Sequence, residues 1–370
     1  MKTIRRLFYA DIVSAVAFVA VAFLSLSFFI DFVDQLTEVG TRGYTVLHAA
    51  LYALLLVPGR FYEVSPIAVL IGTIYTLSRM AQSSEFTILR TAGLGPTRAL
   101  VLLSSLGLMF GVMTYLVGEY VAPLSERQAG QVRALFQGNL KVGRSGAGAW
   151  LKDHASTPEG ERSYKINVGS SGPGATLHDV RIYEFGADGR LLRHITADDA
   201  QIQPTETWAL KNVSITHWTA TAGTAQAAQG KLADYLWPSK LSASVVAAEV
   251  LPVATMSTLD LYRFIDHLAD NEQAAQRHKI QFWKRALYPF ACIVMVALAL
   301  PFAYLHARGG GISLKVFGGI MLGISFVLLN NVAGHIGLLR NWTPWIVAAT
   351  PSAFYLLLSL AAFSWLVRYR

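Results

Sequence analysis

The chain has one cysteine in 370 residues, so it can form no intrachain disulfide and no cysteine-based metal site. That residue, Cys292, lies inside an apolar run and says nothing about redox compartment. Charge is also scarce, at 15% of residues against 53% hydrophobic, and the mean hydropathy is +0.41, too apolar for an ordinary water-facing surface. The nine histidines show no HExxH or comparable metal-ligand spacing, and His48, His306 and His335 read as span-end residues. Nearest to a phosphate loop is Gly309-Gly310-Gly311-Ile312-Ser313-Leu314-Lys315, but Leu314 stands where the glycine before the lysine belongs, and an apolar run follows. It reads as a flexible loop, leaving the chain without a nucleotide motif of its own. No reactive groups converge as an enzyme needs, and no cofactor or metal site is expected.

What is present is apolar length. Runs long enough to cross a bilayer occur at 12–30, 64–80, 99–117, 282–305, 312–332 and 344–367, predicting six transmembrane helices. The first follows the basic Met1 to Arg6 but ends in bulky Phe28-Phe29-Ile30, which argues against a cleaved signal peptide. Residues 45–57 are apolar but too few to span a 30 Å core at 1.5 Å per residue, so they read as an interfacial helix or as an extension of the second span.

The formal net charge of +8 is unevenly spread: residues 119–275 hold 14 Lys+Arg against 17 Asp+Glu, and the remainder 17 against 6. A basic excess confined to the membrane half sets orientation and is not a nucleic-acid footprint. With both termini cytoplasmic, Lys2, Arg5, Arg6, Arg79, Arg90, Arg98, Arg308, Lys315, Arg368 and Arg370 fall inside, and Arg42, Arg60 and Arg340 fall in short outer loops. Arg277, Lys279, Lys284 and Arg285 run against the rule at the outer end of span four. They read either as a flank for phospholipid headgroups or, at Lys284 and Arg285, as contacts for an anionic lipid substrate.

Between spans three and four the period changes from helical to alternating. Residues 178–185 and 190–197 are β-branched and aromatic-rich runs joined at Asp188-Gly189, a hairpin signal. A further strand is expected at 208–218, with a turn at Lys211-Asn212, and the Gly- and Ser-rich 143–174 as strands with loose connections. Short punctuated strands favour an antiparallel sandwich or open jelly roll. A helix at 259–271 leads back to the membrane. The expected organisation is residues 1–125 with three spans, a β domain over 126–258, and 259–370 with a linker helix and three spans.

The loop between spans two and three carries a short helix, 83–93. Ser83-Ser84 offer an N-cap, Glu85 puts negative charge in the first turn, Phe86 and Leu89 fall at helical spacing, Arg90 follows, and Gly93 can end it. It reads either as a surface helix on the lipid or as a docking helix whose Phe86/Leu89 face enters a groove on a cytoplasmic partner. Asn330-Asn331 in span five read as a transport path or as interhelical hydrogen bonding. Gly107 and Gly111, spaced G-x-x-x-G, permit close helix approach.

Taken in order, Phe32-Val33-Asp34-Gln35-Leu36, the stretch Ser84-Glu85-Phe86-Thr87-Ile88-Leu89-Arg90-Thr91-Ala92-Gly93, Gly118-Glu119-Tyr120-Val121-Ala122-Pro123, and Phe282-Trp283-Lys284-Arg285 with Pro289 resemble the LptF/LptG permease family of the lipopolysaccharide export system, closer to its LptG side. The resemblance covers essentially the whole chain. It implies six transmembrane helices, three and three, around a periplasmic antiparallel β-jellyroll, in the inner membrane of a Gram-negative bacterium.

It also implies a non-catalytic subunit that extracts lipopolysaccharide from the outer leaflet and passes it to a periplasmic bridge. The partners implied are an LptF-type paralogous permease in a heterodimer, an LptB-type ATPase dimer that binds the ATP, and an LptC-type bridge protein. Helix 83–93 is then the coupling helix, with Glu85, Phe86, Leu89 and Arg90 toward the ATPase. The chain departs from relatives near the end of span one, with Asp31, Thr37 and Glu38 where they carry lysines, and with Gly130 in place of one of a basic pair. Arg133 carries over as a lipid phosphate contact, with Lys284 and Arg285 expected to supply the rest. The other function classes are a secondary lipid transporter, whose mid-membrane ionisable set is not evident, and a non-transporting envelope scaffold.

Overall fold

A computed structural model describes residues 2–40, 43–91, 93, 95–137, 140–141, 149–157, 160–171, 176–203, 207–221, 224–239, 256–270, 275–304 and 311–368. Gly309 and Gly310 of the expected flexible loop 309–315, the looser parts of 143–174, His306 and the end of span four at Leu305 lie outside these residues, and Ile312 to Lys315, expected in that loop, are helical. The chain divides into a helical unit, Met1–Thr37, Ala53–Ser125 and Gln276–Arg370, and a β-rich unit, Glu38–Tyr52 and Glu126–Ala275.

In the helical unit, α1 (Lys2–Leu36), α2 (Val46–Gln82), the short α3 (Glu85–Thr91), α4 (Pro96–Leu116), α7 (Gln276–Tyr304), α8 (Ile312–Leu339) and α9 (Pro344–Arg368) follow in order, and all but α3 provide the six expected apolar spans. Residues 46–57 belong to one unbroken α2 that holds Pro58 and Pro66, with Thr45 just before it, so the extension reading holds and the separate interfacial helix does not. Arg60 accordingly sits inside α2, not in an outer loop. Beyond α4 the helix continues through a π-turn, Val117–Val121, into α5 (Ala122–Gln137).

Lipid tails are as apolar as leucine, so these helices hold together by close packing and interhelical hydrogen bonds. A Cβ at Gly107 would sit 2.9 Å from the Ile293 Cα, and one at Gly111 2.8 Å from the Pro289 carbonyl oxygen. The G-x-x-x-G pair therefore seats α4 directly on the backbone of α7. Gly72 does the same for α1, where a Cβ would lie 2.6 Å from the Val16 Cα. Ser65 and Thr114 share a buried hydrogen bond of 2.6 Å, and Thr114 also approaches the Cys292 Sγ, at 3.6 Å. The lone cysteine is thus part of a polar contact joining α2, α4 and α7.

The β-rich unit carries seven antiparallel strands, β1 (Leu140–Lys141), β2 (Ala149–Thr157), β3 (Gly160–Ser171), β4 (Thr176–Phe185), β5 (Leu191–Gln203), β6 (Thr207–Thr221) and β7 (Thr224–Pro238), with β3 through β7 each paired to the next and β1 and β2 both paired to β3. The Asp188-Gly189 hairpin forms as expected: Gly189 has φ +74°, and the Gly186 and Arg190 backbones close the turn at 2.9 Å. Lys211-Asn212 is no turn. Strand β6 runs through it, with Asn212 in the left-handed region at φ +52°.

The reason lies in the neighbouring strands. Inward-facing residues alternate except at one step, where two residues instead of one separate Leu177 from Val180, Ala197 from Ala200, and Leu210 from Val213. Asp179, also left-handed at φ +53°, Asp198 and Asn212 fall at those steps, the positions at which the ladder pairing is interrupted. Asp and Asn tolerate this backbone best after glycine. An added residue flips the inward phase of one strand, so the irregularity occurs in register and keeps one face apolar throughout.

That face carries the row Ile166, Ile182, Ile195 and Ile215, each paired with the next and all buried, worth about 1.5–3 kcal/mol per side chain. The sheet rolls over it. Tyr164 of β3 meets Trp237 of β7 edge-on with centroids 5.5 Å apart, and Ser239 donates to the buried Asp153 of β2 at 3.2 Å. Helix α6 (Thr258–Asp270) then buries Leu261, Phe264 and Leu268 along one stripe.

Candidate functional site

Three places carry the side chains singled out above. The first is α3. Ser83 does not cap it: its hydroxyl donates to the Arg79 carbonyl at 3.2 Å and so closes α2, while the Ser84 carbonyl, on a residue with φ +59°, accepts the Ile88 N–H at 3.1 Å. Glu85 does open the first turn, and Gly93, with φ +100°, follows the last one.

The face that the helix presents differs from expectation. Phe86 is 2% exposed and packs edge-to-face on Tyr304 of α7, centroids 5.1 Å apart, and Leu89 packs against the same core. Turning either outward would strip apolar surface from this chain, so the Phe86/Leu89 face is taken. Glu85, Thr87, Ile88 and Thr91 are exposed, Ile88 at 63%. The side chain of Arg90 lies outside the described residues.

The second place is Arg133 on α5, in the β-rich unit. Its guanidinium pairs with Glu38 at 3.0 Å and lies 6.0 Å over the Tyr52 ring. Around them Tyr44, His48 and Phe136 pack ring to ring, with His48 and Phe136 centroids 4.2 Å apart. Burial, and after it the Glu38 charge, push the Tyr44 phenol above its ordinary range. At Gly130, one turn before Arg133, a Cβ would meet nothing within 4 Å.

The third is the start of α7. Lys284 is half-buried and donates from Nζ to the Asn330 carbonyl of α8 at 2.7 Å, next to a void of about 10 Å³ lined by Tyr288, Asn330 and Ser352. That is about room for one water. Lys284 thus points into its own bundle and joins two helices, through a backbone carbonyl that leaves both readings of the Asn330 side chain open. Arg285, half-buried, neighbours it in sequence. The expected phosphate set is therefore split between units, with Arg133 in one and Lys284 and Arg285 in the other.

Sequence reasoning missed the partners. Tyr304 carried no signal, being one aromatic among many at the end of an apolar run. Asp31 and Arg60 form a two-pronged ion pair, 2.7 and 3.0 Å, between α1 and α2. The signal for it was an aspartate at the end of an apolar helix, which needs a cation nearby.

Two comparisons bear on what these places serve. The chain is similar to the Lipopolysaccharide export system permease protein LptG of Escherichia coli strain K12, 28% identical over 340 residues that make up 91% of each chain. It is similar to the protein of the same name from Haemophilus influenzae, 24% identical over 359 residues, 97% of each. Residues 6–366, nearly the entire chain, match the family described as Lipopolysaccharide export system permease LptF/LptG, and the chain belongs to that family.

Proposed function

We propose that this chain is the LptG-type permease subunit of a lipopolysaccharide exporter in the inner membrane, with its termini cytoplasmic and its rolled sheet periplasmic. The family match over residues 6–366 carries this reading. The six apolar helices, three before and three after an antiparallel sheet in the chain, support it. The subunit performs no covalent chemistry. It works with an LptF-type paralogue, an LptB-type ATPase dimer that binds the ATP, and an LptC-type bridge.

Drawing a lipid's acyl chains out of the bilayer costs about 0.8 kcal/mol per CH₂, which sets the demand for ATP hydrolysis by a partner. On this reading the exposed Glu85 and Ile88 edge of α3 meets the ATPase, since Phe86 is buried and Leu89 partly so against this chain's own core. Arg133, Lys284 and Arg285 are the lipid phosphate contacts, reached by exchange for their present acceptors at Arg133 and Lys284.

The test is to express the chain with its genomic neighbours, purify the assembly and measure ATP hydrolysis with and without lipopolysaccharide. Co-purification of an ATPase subunit whose turnover responds to lipopolysaccharide is the expected result. Isolation without an ATPase, and without any response to lipopolysaccharide, would overturn the reading.

A further inference from the structure

Helix α3 is covalently linked only to α2 and α4, yet its buried ring reaches a third helix. Phe86 packs edge-to-face on Tyr304, the last residue of α7, and both are nearly inaccessible to solvent. Any displacement of α3 therefore either drags the end of α7 or opens a gap in close-packed core, and such cores resist gaps.

Helix α7 is suited to carry the displacement onward. It is the most buried of the six spans, and it packs chiefly against α4 and α9. From Tyr304 back to Lys284 it is continuous helix, about 30 Å at 1.5 Å per residue. With Gly107 and Gly111 seated on the α7 backbone, α4 cannot slide independently of it. At the far end, Lys284 is tied to the Asn330 carbonyl of α8.

We propose that the Phe86–Tyr304 contact is the point at which force on α3 enters the membrane bundle, with α7 and the α4 locked to it as the moving body. Phe86 and Tyr304 are positioning residues, acting through α7 on the end that carries Lys284 and Arg285. This rests on the permease reading given above, in which α3 receives a partner's work.

The experiment uses the complete transporter with its ATPase, reconstituted in vesicles containing lipopolysaccharide, and reads the lipid extracted per ATP hydrolysed. Phe86→Ala and Tyr304→Ala are each expected to lower that ratio at least tenfold while the ATPase still co-purifies. The double variant is expected to match the singles within twofold, because one link is cut either way, and Tyr304→Phe, which keeps the ring, to retain the ratio. If an alanine variant does not assemble, Phe86→Leu and Tyr304→Leu keep apolar volume without the ring contact and serve in its place. Ratios within twofold of the unaltered chain for either single, or losses that multiply in the double, overturn the proposal. Absence of lipid extraction by the unaltered chain instead overturns the permease reading, and the proposal with it.

Discussion

The ion pair between α1 and α2 gives the sharpest test of how the membrane half is held together. The Asp31 oxygens accept from Arg60 Nη2 at 2.7 Å and from Nε at 3.0 Å, the fork geometry that makes guanidinium–carboxylate pairs strong. The aspartate side chain is 10% exposed and the arginine 41%. Removing one partner of a fully buried pair costs about 3–5 kcal/mol, and of an exposed pair about 0–1. Solvent at the arginine discounts the first figure, and Arg60 can fall back on Glu63, 3.3 Å away. Asp31→Asn is therefore expected to cost about 2 kcal/mol, roughly a 30-fold shift in the folded-to-unfolded ratio. The assay is unfolding in mixed micelles followed by tryptophan fluorescence, run as a double-mutant cycle with Arg60→Gln and with exposed Arg340→Gln as a control within about 0.5 kcal/mol. A coupling energy below about 0.5 kcal/mol would refute the argument, and would mean that the pair is a surface pair in energetic terms.

Four further outcomes follow from the geometry. Gly107→Val, whose side chain would meet the Ile293 backbone, is expected to destabilise by about 1–3 kcal/mol or more in the same assay. Gly130→Arg, with open space at the Cβ and a better helix former, is expected to stabilise α5 by up to about 1 kcal/mol and to strengthen retention of lipopolysaccharide in a detergent pull-down. Ile88→Glu changes an exposed residue, so stability should stay within about 0.5 kcal/mol while co-purification of the ATPase falls. Ser257 caps α6: its hydroxyl accepts the Asp260 N–H at 3.1 Å, so Ser257→Ala is expected to cost about 1 kcal/mol. Burial alone would raise the Asp260 carboxyl, but hydrogen bonds from Ser257 and then Arg127 outweigh it and hold the carboxyl below its ordinary value. Because the folded value is the depressed one, this stabilisation is complete above the unfolded value near 4 and is lost as pH falls through the folded value. Ser257→Ala should flatten that acid limb, read as midpoint against pH.

Much of the fold was legible because bilayer thickness and the two-residue strand period are strict constraints. The six spans follow from run length, and the Asp188-Gly189 hairpin from a glycine that must adopt positive φ. Lys211-Asn212 misled for a physical reason. Asn at positive φ looks alike in a turn and in an irregular strand, and only the Asp179 and Asp198 steps beside it distinguish the two. The face of α3 misled similarly. Amphipathic spacing shows that Phe86 and Leu89 share a side but not whose core that side enters, and Tyr304 lies too far along the chain for any local pattern to name it. The split of Arg133 from Lys284 and Arg285 could not be read from a list of basic residues, since charge count carries no direction.

The structure changes what a phosphate contact means in this chain. Read from sequence, Arg133 and Lys284 are cations awaiting an anion. In the fold each already has an acceptor, Glu38 for one and the Asn330 carbonyl for the other. On the permease reading, a lipid phosphate at Arg133 competes with the Glu38 carboxylate for the same guanidinium, which lowers its net affinity. At Lys284 the exchange also unties α7 from α8. On the same reading, binding energy spread equally over every state of a transporter moves nothing, whereas an exchange of acceptors that differs between states biases the conformation. On that reading Glu38, which stands in the sequence where relatives carry a lysine, competes with the phosphate for Arg133.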